Sequence, residues 1–235
     1  NRIASMSWDG TRLGAPRTIL RGIPAGPFHD GGRMVFGPDG YLYMGTGDAR
    51  DSASAQRRSS LGGKILRITT SGAAAPGNPF GDSPVWTLGH RNIQGLAFDA
   101  QQRLWASEFG EKTHDELNLI TKGANYGWPK YEGKGNDPAY ADPYVQWPTA
   151  EASPSGLAII GDWAYMAALR GQRLWQVGIA EPTPAGPYDL FVGTYGRLRT
   201  PAVAPDGSLW VTTSNTDGRA TPKAGDDRIV AFAVS

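Results

Sequence analysis

The sequence contains no cysteine, which excludes disulfides, thiolate metal centres and a cysteine nucleophile. That absence does not fix a compartment, because many exported bacterial proteins also lack cysteine. Charge imbalance is missing too: 23 Lys and Arg face 22 Asp and Glu, for a formal net charge of +1. Nucleic acid and acidic membrane surfaces are recognised by clustered Lys and Arg, so neither is an expected partner. No apolar run approaches the roughly 20 residues of a membrane span. The first residues, Asn1-Arg2-Ile3, lack the charged-then-apolar pattern of a signal peptide, so an export signal is not in this sequence. There is no P-loop, no dinucleotide-binding glycine fingerprint after a strand and no His-Glu-x-x-His. A helix–loop–helix calcium motif is also absent.

What is present is glycine and proline, 32 and 18 of 235 residues, with 10% aromatics and 40% hydrophobic residues. Such a composition is rich in turns yet too apolar for disorder. Eight Trp and nine Tyr suit pleated, half-buried strands. The length fits one domain, residues 1–235, with a sizeable core. The expected class is all-β.

One unit repeats along the chain: an apolar strand, a tight turn and a second strand ending in an aromatic. It is clearest in Met34-Val35-Phe36-Gly37-Pro38-Asp39-Gly40-Tyr41-Leu42-Tyr43. It returns from Leu96 to Trp105, from Leu157 to Tyr165 and from Ala202 to Trp210. Asp39-Gly40 and Asp206-Gly207 are strong hairpin formers. A third strand follows each pair, at Lys64–Ile68, Glu116–Ile120, Arg173–Val177 and Arg228–Phe232. Short antiparallel strands at this period describe the four-stranded blades of a β-propeller. A β-sandwich also has short strands, but it does not need the same hairpin at long intervals. Arg2–Met6 and Arg17–Leu20 read as a further third and fourth strand, so the chain is expected to begin within a blade and to hold about four and a half blades. An open edge is costly, so upstream sequence or another chain is expected to complete the ring.

In a propeller, loops at one end of the blades converge. His29-Asp30-Gly31-Gly32-Arg33, Gly89-His90-Arg91-Asn92, Trp147-Pro148-Thr149 and Tyr195-Gly196-Arg197-Leu198-Arg199 occupy equivalent places and should face one centre. A lone histidine is more often structural than catalytic. His29 is favoured because adjacent glycines allow close backbone approach, and because Asp48, ending the adjacent strand, is placed to hold its imidazole in one tautomer. His90 is expected to make a structural hydrogen bond and His114 to lie on a solvated loop. Arg91, Arg197 and Arg199 form either surface ion pairs or an anion pocket that grips carboxylates in two-point geometry; spacing alone does not choose.

Together these segments resemble the soluble quinoprotein glucose and aldose sugar dehydrogenases, six-bladed propellers that use pyrroloquinoline quinone (PQQ) with calcium (Ca2+). The matching stretches are His29–Gly40, Ser60–Arg67, Leu88–Phe98, Ser107-Glu108 through Asn118, and Gly123-Ala124-Asn125-Tyr126-Gly127-Trp128-Pro129. The resemblance implies that His29 is the general base for the anomeric hydroxyl of an aldose, oxidised to its lactone as hydride passes to the quinone, with Asp48 orienting it. It implies that Arg91 stabilises developing negative charge, and that Asn92, Thr149, Arg170, Arg197 and Arg199 hold the cofactor. Trp147 then lines the sugar pocket, and main-chain carbonyls of Gly110 and Glu111 ligate the Ca2+. Further implications are an external electron acceptor and a periplasmic or secreted location; a homodimer is left open.

Three departures from the family pattern stand out. Gly110-Glu111 replaces the Gly-Pro of glucose-oxidising members, Arg170 takes the place of a lysine, and the family's first blade and the start of its second, with a cofactor-contacting glutamine, are absent. Two other readings remain open, a calcium-dependent lactonase and a non-catalytic propeller.

Overall fold

The computed structural model describes residues 1–234. The chain is a β-propeller, built as a succession of antiparallel meanders. A two-stranded sheet, β1 (Ile3–Ser5) and β2 (Arg17–Leu20), precedes three four-stranded blades. The first blade is β3 (Gly31–Phe36), β4 (Leu42–Thr46), β5 (Lys64–Ile68) and β6 (Val85–Leu88). The second is β7 (Ile93–Phe98), β8 (Leu104–Glu108), β9 (His114–Ile120) and β10 (Val145–Pro148). The third is β11 (Pro154–Ile160), β12 (Trp163–Ala168), β13 (Arg173–Gly178) and β14 (Ala185–Leu190). A three-stranded sheet follows, β15 (Leu198–Val203), β16 (Leu209–Thr213) and β17 (Ile229–Phe232). The inner strands β3, β7, β11 and β15 lie side by side in that order. Among the described residues no helix is long and apolar enough to cross a membrane.

The hairpins form where the sequence places them. Phe36 pairs with Leu42 across the Pro38-Asp39-Gly40 turn, in which Gly40 takes φ 78°, a left-handed conformation that glycine adopts without steric cost. Asp39 then does three jobs. Its Oδ1 accepts the Tyr41 amide, while its Oδ2 accepts the Tyr43 hydroxyl and the Arg67 guanidinium, at 2.9 and 2.8 Å. The next blade repeats the device. Asp99 accepts from the Trp105 indole at 2.9 Å and from the Arg103 side chain at 2.6 Å.

The core lies between successive sheets. Tyr43 packs with Ile65, Ile93 and Leu104 between the first and second blades. Trp105 packs with Met166 and Trp175 between the second and third, and Tyr165 with Leu198 and Val211 beyond the third. The fourth member of this aromatic column, Trp210, holds the equivalent register opposite Ala202 yet is 43% exposed, because no further sheet among the described residues covers it. Met34 and Phe36 on β3 are likewise exposed.

Trp105 is fully buried and sits where two blades meet. Its truncation leaves a large void and removes one of the two side-chain donors to Asp99 Oδ2. Trp105→Ala is expected to cost about 3–5 kcal/mol, seen as a lower denaturation midpoint in urea.

Candidate active site

Three segments from two blades are stitched together at one end of the propeller. Strand β4 runs on into Gly47-Asp48, whose backbone is held from both sides: the Asp48 amide donates to the Arg91 carbonyl (2.8 Å) and the Ala49 amide to the His29 carbonyl (3.0 Å). Gly47 is needed for that approach. A Cβ there would lie 1.7 Å from the His29 carbonyl oxygen, an impossible contact. His29 itself takes φ 64° and Ala49 φ 50°, conformations that cost about 1–3 kcal/mol each and persist only when their surroundings fix them.

The side chains complete the connection. His29 Nδ1 lies 2.9 Å from Asp48 Oδ1, and Arg91 Nη2 lies 3.0 Å from His29 Nε2. A guanidinium can only donate, so Nε2 accepts and the ring proton sits on Nδ1, donated to Asp48. Asp48 is 1% exposed, and its other oxygen accepts the Trp128 indole N–H at 2.9 Å. Burial works to raise the Asp48 pKa, but the hydrogen bonds from His29, the Arg50 amide and Trp128 prevail and hold it below the usual range. Trp128 also lies under Arg91, with 5.5 Å between guanidinium carbon and ring centroid. Burial lowers the Arg91 pKa from its high ordinary value.

His29 and Arg91 open onto a cavity of about 380 Å3, within the size of small-molecule sites. The site residues expected from sequence distribute unevenly around it. Asn92, Thr149, Arg170, Arg199, Gly110 and Glu111 all line it. Asn92 Oδ1 accepts the Gly31 amide at 3.1 Å, which fixes the His29 loop to the second blade. Arg197 does not line the cavity: it is 7% exposed and grips Asp217 through Nε and Nη2 at 3.2 and 3.0 Å. Asp217 in turn accepts the Arg219 amide at 3.0 Å, and Arg219 is a lining residue. Arg197 therefore anchors the loop that presents a different arginine. Trp147 is 2% exposed, packs on Trp175 in the core, and is not among the lining residues.

The other two histidines have separate fates. His90 is fully buried, bonded to Glu108 (2.8 Å) and Thr87 (2.9 Å) and stacked on Tyr126. His114 opens β9, where it is half-buried, not on a solvated loop as expected. Its place follows from the loop before it, which folds back against the second blade. There the Gly110 amide donates to Asp115 at 2.9 Å, and the amides of Glu111, Lys112, Thr113 and His114 all donate to Glu132 Oε1. Burial pushes the Asp115 pKa up to about 6, against the Ser153 and Gly110 amides. Glu132, Trp128 and Arg219 escape the sequence reading. Trp128 stood in the Asn-Tyr-Gly-Trp-Pro motif, but no spacing ties it to Asp48, which is 80 residues away.

Loops that gather four arginines and a histidine around one cavity make this a propeller built on a polar pocket rather than a flat docking face. The chain belongs to the Glucose / Sorbosone dehydrogenase family, whose profile matches residues 1–222. Over 98% of its length it superposes, with a TM-score of 0.95 and 54% identity, on 71% of the PQQ-bound aldose sugar dehydrogenase of Streptomyces coelicolor. It is 30% identical over 242 residues to the aldose sugar dehydrogenase YliI of Escherichia coli, covering 91% of this chain and 65% of that protein. With the quinoprotein glucose dehydrogenase B of Acinetobacter calcoaceticus it shares 37% identity over 151 residues, or 55% of this chain and 32% of that protein. The chain thus spans less than two thirds of the length of these curated relatives.

A carboxyl whose folded pKa is depressed contributes stability above its unfolded value, about 3.9, and loses it as pH falls through the folded value. Asp48→Asn is expected to cost about 1–3 kcal/mol at pH 7. In urea titrations the gap to the wild type should narrow as the pH is lowered towards 3.

Proposed function

We propose that the chain carries the active site of an aldose dehydrogenase that oxidises the sugar's C1 hydroxyl to a lactone. The observation that supports this best is the His29 tautomer. With its proton fixed on Nδ1 by Asp48, the imidazole presents a lone pair at Nε2, as a base requires. Arg91 Nη2 donates to that lone pair. An entering hydroxyl takes Arg91's place at Nε2 and gives its proton there, and Asp48 stabilises the imidazolium that forms. The displaced Arg91 Nη2 then donates to negative charge developing opposite the histidine. Arg91 keeps its place through Nη1, which is bonded to the Gly110 carbonyl.

The residues present fit the cofactor that the resemblance implies. PQQ is a planar tricarboxylate, and the cavity carries Arg170, Arg199 and Arg219 beside Arg91; guanidinium forks match carboxylates in two-point geometry. Asn92 and Thr149 supply neutral hydrogen-bonding groups on the same walls. A calcium ion needs oxygen donors, and the backbone of loop 110–114 has only its carbonyls to offer, since its amides are occupied by Asp115 and Glu132. When bound, the quinone supplies the hydride acceptor and the ion a Lewis acid beside it. Arg197 acts through Asp217 and the Arg219 loop. An external electron acceptor and a location outside the cytoplasm complete this reading.

The test is reconstitution with PQQ and Ca2+, followed by sugar-dependent dye reduction. The wild type should turn over. His29→Ala should lose about 100- to 10,000-fold in kcat while retaining the absorbance of bound quinone. Lactone hydrolysis without quinone would favour the lactonase instead, and full activity in His29→Ala would remove the histidine from the mechanism.

A further inference from the structure

Five successive amides, those of residues 110–114, donate to carboxylates of this chain. The Gly110 amide reaches Asp115, and one oxygen, Glu132 Oε1, accepts the next four, from Glu111 (2.6 Å), Lys112 (2.7 Å), Thr113 (2.8 Å) and His114 (3.2 Å). A run of convergent N–H groups is an anion-binding nest, and here the protein fills it with its own side chain.

The consequence lies on the other side of each peptide plane. In a trans peptide the carbonyl of one residue points opposite to the amide of the next. The Gly110 carbonyl is therefore aimed away from Glu132 by the Glu111 amide, and the Glu111 carbonyl by the Lys112 amide. These are the two shortest bonds to Glu132. The carbonyls on that far side meet cavity residues, Gly110 at Arg91 Nη1 and Lys112 at Thr149 Oγ1 (3.3 Å).

Glu132 is itself fixed. The neighbouring Gly133 amide donates to the buried Glu116 at 2.8 Å. The loop also closes tightly on it: a Cβ on Gly110 would lie 2.7 Å from Glu132 Oε1 and 1.7 Å from the His114 carbonyl oxygen.

We propose that Glu132 is a positioning residue for cation binding, holding the Glu111 and Lys112 amides so that the Gly110 and Glu111 carbonyls face the ion beside the quinone. This rests on the function proposed above. Glu132 touches neither ion nor substrate, and removing it both releases the carbonyls and exposes four amides that repel a cation.

The experiment uses PQQ-loaded wild type, Glu132→Ala and Glu132→Gln, with Ca2+ titrated calorimetrically and loop amides followed by hydrogen exchange. Glu132→Ala should raise the half-saturating Ca2+ concentration at least tenfold and speed exchange at 111–114 at least tenfold. Exchange around His29 should not change. Glu132→Gln keeps a neutral acceptor in place, and its calcium shift should fall between the other two. Faster loop exchange in Glu132→Ala with an unaltered Ca2+ titration would overturn the proposal and leave the clamp purely structural. A wild type that takes up neither quinone nor Ca2+ would overturn the dehydrogenase reading itself, and this inference with it.

Discussion

Arg91 spans the seam between two blades, and the arrangement of the pocket depends on it. Its Nη2 closes on His29, its Nη1 on the Gly110 carbonyl, its backbone carbonyl on the Asp48 amide and its own amide on Glu108. One residue thus ties the histidine loop, the carboxylate that orients it and the carbonyl-bearing loop of the next blade. Gly47 makes the tie sterically feasible, because any side chain there would collide with the His29 carbonyl. The left-handed conformations of His29 and Ala49 are stabilised by these same contacts, so local strain and site geometry have one origin.

Charge is layered around that seam. Arg91, Arg170, Arg199 and Arg219 line the cavity together with Glu111 and Asp115, while the buried carboxylates Asp48, Glu108 and Glu116 are not among its lining residues. The carboxylates serve mostly as acceptors for backbone amides, which leaves the loops displaying carbonyls and the side chains displaying cations. Burial and the nearby Glu108 raise the Glu116 pKa, with Asn118 and the Gly133 amide offsetting this at Oε2 and Oε1. A pocket of this kind attracts an anion along one wall and a hard cation along another. In the proposed function the first wall would receive a quinone carboxylate and the second its calcium ion.

Much of this was legible beforehand because propeller repeats are a local signal. Period-two strands and Asp-Gly turns placed β3 to β5 and β15 to β17 closely. Equivalent positions before each inner strand predicted that His29, Arg91 and Arg199 would meet. Arg197 and Trp147 show where this reasoning stops. Both sit at positions equivalent to lining residues, but Arg197 finds Asp217 on a loop 20 residues away, and Trp147 finds an aromatic slot against Trp175. Side-chain direction is decided by the nearest partner, which position alone does not give. Glu132 was hidden for a related reason: its partners are backbone amides, which no sequence pattern records.

The chemistry of the pocket depends on the Asp48–His29–Arg91 chain and on which imidazole nitrogen carries the proton. Long-range 1H–15N correlation of the His29 ring in the 15N-labelled, ligand-free protein measures this directly. A proton on Nδ1 and an unprotonated Nε2 are expected, with the pattern disturbed in Asp48→Asn. A proton on Nε2 would contradict this assignment, because Arg91 could not then donate to that nitrogen and the base would have no lone pair to offer a sugar hydroxyl.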